Sequence, residues 1–241
     1  MFVLLTYIQP SIEIGQLRID EPVTTLTDLL LAAICFFAYF NIRKLGEEGR
    51  IKWYFRYYFL FLGMGALTGG LLGHAFLTRI APGWKLVSWV FTIVSVGFMI
   101  HAMVELVQPL VRNGVRKLIT RINWLAMALA LFLTVYRASF APTTYYSIFG
   151  MLIVVGSLST YIYLKTGSRG VVRFLFGIGL GVIGAFIFIR GWGISPWLTH
   201  NDISHIILSI STFVIYKGVT LVMSVPDSWS PVQGTSINRF T

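Results

Sequence analysis

Three side chains of this sequence have the chemistry of a metal centre: His74 and His205, in separate apolar stretches, and Asp202, three residues before His205. Neutral imidazoles and carboxylates are ordinary ligands of Zn²⁺, and three protein ligands plus water make a catalytic centre that lowers the water's pKa toward about 7. Asp28, in the first apolar stretch, is the alternative third ligand. If it is not a ligand, it is the candidate general base, since burial raises a carboxylate's pKa toward a useful range. The same residues also admit a purely structural reading, in which the imidazoles hydrogen-bond to the carboxylates and tie segments together.

These groups matter because of where they stand. Of 241 residues, 56% are hydrophobic and 12% charged, against roughly 45–50% and 25% in an ordinary soluble domain. Seven apolar stretches, at about 24–43, 54–78, 85–108, 121–139, 144–165, 171–190 and 202–223, approach the ~20 residues that cross a bilayer as a helix. The expected fold is an all-α, polytopic seven-transmembrane helix bundle, with an outer segment 1–23, a membrane domain 24–223 and a flexible cytoplasmic tail 224–241. Inside hydrocarbon an ionisable side chain costs at least ~2.5–3.5 kcal/mol, so those present mark function. Asp28 near the start of the first helix, His74 near the end of the second, and Asp202 and His205 at the start of the seventh fall at one level. On the seventh helix Asp202, His205, Ser209, Thr212 and Tyr216 recur at three- and four-residue intervals, one face turned to the bundle interior.

Charge sets the orientation. Lys and Arg outnumber Asp and Glu by 19 to 9, and they cluster after the first, third and fifth helices. The positive-inside rule then places the N-terminus outside and the C-terminus in the cytoplasm. Basic residues in loops meet anionic lipid, so membrane lipids are the expected partners and nucleic acid is not. No basic segment precedes Phe2–Ile8, so the first helix is expected to direct insertion by itself. Cys35 stands alone and can form no intrachain disulfide. Residues Ser11–Asp20 alternate weakly about Gly15 and Gln16, the pattern of a small hairpin.

Small residues recur at helical spacing in the second helix (Gly65, Gly69 and Gly73, beside Gly63, Ala66 and Gly70) and in the sixth (Gly177, Gly181 and Gly184). Such faces let membrane helices approach until their backbones touch. His200 is expected in the outer loop. His101 and Glu105, four apart near the cytoplasmic end of the third helix, are expected to share a local hydrogen bond. Arg137 and Arg190 lie on the outer side, where they either snorkel to the headgroups or, with Trp192 and Trp197, hold lipid phosphate.

Seven spans, His74 preceded by Gly70 and Gly73, and Asn201, Asp202 and His205 opening the last helix resemble the membrane hydrolase superfamily of alkaline ceramidases and adiponectin/progestin receptors. The resemblance implies zinc-dependent hydrolysis of a lipid-like amide or ester. It implies a Ser and a His four apart on helix two, an Asp near helix three and two His four apart on helix seven. Here Gly70 stands at the Ser position and Asn201 at the first of the last His pair, and no Asp occurs between residues 75 and 105. His74 and His205 match, with Asp202 beside the altered position. The run from Asn201 to His205, with Tyr216, Lys217 and Gly218, also resembles uncharacterised bacterial membrane proteins, which implies a bacterial cytoplasmic membrane.

The alternative function is a non-catalytic membrane protein that binds or senses a lipid or small ligand. A transporter would show inverted repeats or paired broken helices, and neither is found. A retinal protein needs a mid-membrane lysine on helix seven, whereas Lys217 lies at its cytoplasmic end. Oligomeric state is open, because small faces serve dimers as readily as bundles.

Overall fold

The computed structural model describes residues 7–46 and 48–224, so the expected tail lies outside the described residues apart from Ser224. The apolar stretches fold as seven helices, each long and apolar enough to cross a membrane: α1 Pro22–Arg43, α2 Arg50–Ala75, α3 Lys85–Leu106, α4 Asn113–Arg137, α5 Ala141–Thr166, α6 Arg169–Arg190 and α7 His200–Ser224. A hairpin of β1 Ile12–Ile14 and β2 Leu17–Ile19 precedes them, turning at Gly15 with φ of 61°. That left-handed backbone suits glycine.

Two helices begin a full turn or more earlier than hydropathy predicts. α2 starts at Arg50 and α4 at Asn113, so that Arg50, Lys52, Arg116 and Lys117 are helical rather than loop residues. Lys and Arg favour helix, and their long stems can carry the charge to the interface from inside the first turns. Lys52 does so in buried surroundings, its Nζ donating to Gly46 O at 3.1 Å and lying 3.3 Å from Glu48.

α1 packs between α2 and α7, α7 against α6, and α3 against α2, α4 and α5. Phe55 and Phe59 of α2, Ile100 and Met103 of α3, Phe174 of α6 and Ile215 of α7 fill the centre. Lipid tails are as apolar as leucine, so the helices hold together by close packing and interhelical hydrogen bonds. The glycine faces supply both. A Cβ on Gly63 would stand 2.9 Å from Cys35 Cβ of α1, and one on Gly177 would stand 2.6 Å from Ile215 of α7. Into the same α6–α7 seam Ser211 donates to Gly177 O at 2.7 Å and Ser204 to Gly184 O at 3.0 Å.

Candidate metal centre

The site forms where the chain entering α1 meets the end of α2. Asp20 N donates to Ala75 O and Glu21 N to His74 O, at 3.0 and 3.2 Å, which fixes the start of α1 at the level of His74. Asp20 is held in turn by Thr78, whose backbone N and hydroxyl both donate to it at 2.8 Å, and by Arg18 at 2.9 Å. Burial disfavours the Asp20 carboxylate, but these donors outweigh it and hold the group below the ordinary carboxylate range. Pro22 then begins α1, where its missing N–H costs no helical bond.

The last turns of α2, Gly69–Ala75, are π-helical, a wide turn that is rare and frequent at functional sites. Gly70 lies on its face toward α1, and a Cβ there would stand 2.9 Å from Asp28 Cβ and 3.3 Å from Thr25 O. Only a residue without a side chain lets Asp28 approach this closely.

Asp28 is thereby brought between both imidazoles. Its Oδ1 lies 3.3 Å from His205 Nδ1 and its Oδ2 3.8 Å from His74 Nε2. The two rings stand 6.1 Å apart, inclined at 72°. Glu21 Oε2 lies 2.5 Å from the other nitrogen of His74, Nδ1, and Thr27 Oγ1 lies 3.4 Å from His205 Nδ1. A carboxylate on one imidazole nitrogen fixes the ring's orientation and directs the second nitrogen elsewhere. Both rings remain about one-fifth exposed, whereas Asp28 is buried.

Of the two carboxylates considered as third ligand, the one in contact with both rings is Asp28, not Asp202. Asp202 is fully buried and its oxygens are occupied. Thr24 Oγ1 donates to Oδ1 at 2.6 Å; Gln9 Nε2, Thr199 N and Thr199 Oγ1 donate to Oδ2 at 3.1, 2.6 and 2.8 Å. The Asp202 carboxylate thus caps the start of α7 through the Thr199 backbone N–H, one half of a capping box, with Ile203 N donating to Thr199 O. Gln9 also accepts from the backbone N–H groups of Val23 and Thr24, at 3.0 and 3.2 Å, and so caps α1. Among the described residues no three His, Cys, Asp or Glu side chains are already gathered around one point as a metal cluster.

Below His205 the polar face of α7 runs inward as its spacing predicts. Ser209, Thr212 and Tyr216 are buried, and the Ser209 and Thr212 hydroxyls have no hydrogen-bond partner among the described residues.

Two further expectations are corrected. His200 is the first residue of α7 rather than a loop residue, its ring 5.7 Å from that of Phe188. His101 does not bond to Glu105. It lies between Tyr54 and Trp124, at centroid distances of 5.3 and 5.0 Å, while Glu105 faces Arg50 and Arg116 at 3.9 and 3.7 Å. Aromatic neighbours on α2 and α4 offer the imidazole a flat surface, and two guanidiniums outcompete it for the carboxylate.

Glu21 and Gln9 escaped the sequence reading. The capping box was visible as Thr199-His200-Asn201-Asp202 before an apolar run. Glu21 carried no such signal, since only the backbone pairing of Glu21 with His74 brings its side chain there.

Residues 23–224 match the model of a family of unknown function, DUF6962. The chain belongs to this family. No match was found among curated proteins or among solved structures.

Proposed function

We propose that this chain is a zinc-dependent hydrolase of a lipid-like amide or ester, with His74, Asp28 and His205 as the metal ligands. The observation that carries the reading is the convergence of His74 Nε2 and His205 Nδ1 on the Asp28 carboxylate. The donor set is chemically suitable, because two imidazoles and one carboxylate form a known hydrolytic zinc site. The spacing also fits: two imidazoles on one tetrahedral zinc have centroids about 5 Å apart, given Zn–N bonds of about 2.0–2.1 Å. The rings here stand 6.1 Å apart, so closing by about an ångström would suffice. When bound, zinc supplies an acidified water and a positive charge for the developing oxyanion.

The chain's own residues do the rest. Glu21 orients His74 through Nδ1, Gly70 leaves the room Asp28 needs to stand between the rings, and the partial exposure of both imidazoles leaves a side open to substrate. The resemblance to the ceramidase superfamily supports the reaction class, and Asp28 of α1 takes the room that a Ser at position 70 would need. In this reading the bundle lies in a bacterial cytoplasmic membrane with its N-terminus outside, and the site faces the outer leaflet.

Purified protein should carry about one zinc per chain, and His74→Ala with His205→Ala should abolish both the zinc and the hydrolysis of a fluorogenic acyl amide or ester. Wild-type protein without zinc after purification at micromolar zinc, or metal content unchanged in the double variant, would remove the proposal. The bonds from Glu21 to His74 and from Thr27 to His205 favour one alternative, a non-catalytic site that binds or senses a lipid or small ligand. Ligand retention without zinc and without turnover would select it.

A further inference from the structure

On the far side of α3 from the histidines, α4 and α5 part to leave a crevice of about 250 Å³. Its recess comes from small residues, Ala126 and Ala130 on α4 and Ala141 on α5, and its walls from Leu133 and Phe149. At its mouth stand Arg137 and Ser139. The facing wall is shaped by a second π-helical turn, Ile148–Val155, which contains Phe149.

We infer that this crevice binds an anionic phospholipid, one acyl chain lying along Ala126 and Ala130 and the headgroup phosphate resting on Arg137. The recess is lined mainly by apolar side chains, which suits an acyl chain, and α4 is one of the helices least covered by the rest of the bundle, so bilayer lipid reaches it directly. Arg137 supplies the sign of the headgroup. Among the described residues no carboxylate lies within salt-bridge distance of it. A planar guanidinium matches two phosphate oxygens at once, a pairing that a zwitterionic headgroup weakens with its own cation.

The backbone at the mouth is unusual in a way that agrees. Ala138 adopts φ of 45°, left-handed, where helices ordinarily end on glycine. Strain of this kind persists where the surroundings over-determine it and collects at ligand sites. Here it ends α4 directly after Arg137 and turns the chain through Ser139 into α5. The crevice shares no residue with the proposed metal centre, so neither proposal rests on the other.

Native mass spectrometry in mild detergent, with phosphatidylglycerol and phosphatidylcholine of identical acyl chains, tests the assignment. Wild type should retain one phosphatidylglycerol with about a tenfold preference, the size expected of a charge-assisted phosphate contact. Arg137→Gln, at an exposed position that leaves the fold alone, should erase that preference, and Arg190→Gln at the same end of the bundle should not. Ala130→Leu should lower retention of both lipids. Equal retention of the two lipids by wild type, an undiminished preference in Arg137→Gln, an equal loss in Arg190→Gln, or displacement by equimolar oleate would each overturn it.

Discussion

Gly70 of α2 and Asp28 of α1 occupy each other's space: a Cβ on the glycine would lie 2.9 Å from the Cβ of the aspartate. The pairing explains how a carboxylate reaches both imidazoles, and it makes the two positions interdependent. Gly70→Ser should therefore destabilise the protein by about 1–3 kcal/mol through overpacking and lower zinc content. Combined with Asp28→Gly, which removes the opposing Cβ, the same serine should cost less stability than the two single losses summed, without restoring the zinc. Melting temperatures and metal analysis of the two single variants and the double check this, and additive losses in melting temperature would contradict it.

Asp202→Asn separates the structural carboxylate from the proposed ligand. The variant loses charge where four donors converge, and an Asn amide presents N–H groups to some of them. A stability loss of about 1–3 kcal/mol is expected, with zinc retained. Asp28→Asn should do the reverse, losing zinc with a smaller change in melting temperature.

Asp20 gives the expected pH dependence. Its folded pKa is depressed, so the stability it contributes is fully present above the unfolded carboxylate value of 3.8 and is lost as pH falls through the lower folded value. Asp20→Asn should melt below wild type at neutral pH, and the gap should close in acid below that value. A gap independent of pH would show that the charge on Asp20 is irrelevant to holding Thr78.

The α6–α7 seam offers a contrast within one helix. Gly177→Ala places a Cβ 2.6 Å from Ile215 and 3.1 Å from Ser211 O, whereas Gly179→Ala meets nothing within 4 Å. The first should destabilise by about 1–3 kcal/mol. The second should be neutral or slightly stabilising, since alanine is the better helix former by up to about 1 kcal/mol. Thermal unfolding in one detergent compares them.

Much of this architecture was legible in the sequence, because bilayer thickness fixes helix length and ionisable residues are costly at depth. The seven spans, the common level of Asp28, His74 and His205, and the inward polar face of α7 all follow from those two constraints. Which carboxylate, Asp28 or Asp202, touches both rings did not. Asp202 sits three residues before His205 on the same helix, and proximity in sequence favoured it, although the preceding Thr199 marked it as a capping residue. Asp28 is flanked by Thr24, Thr25 and Thr27, which spread polarity around α1 and hide which side faces inward. The expected starts of α2 and α4 fall late, because Arg and Lys in their first turns lower the local hydropathy. Glu21 depended on a backbone pairing across more than fifty residues of sequence, from Glu21 to His74.

The wide turn Gly69–Ala75 alters the arithmetic of position on α2. A regular helix advances about 100° per residue, so a turn holding one residue more than the regular 3.6 shifts the phase of everything after it. Gly70 and His74, four apart, are not stacked as ordinary helical neighbours, and a pattern match based on that interval compares different azimuths. Regular winding of the same residues would rotate the imidazole of His74 away from its present azimuth toward α1, whereas excising one glycine from this stretch would remove the extra residue and leave that azimuth nearly unchanged.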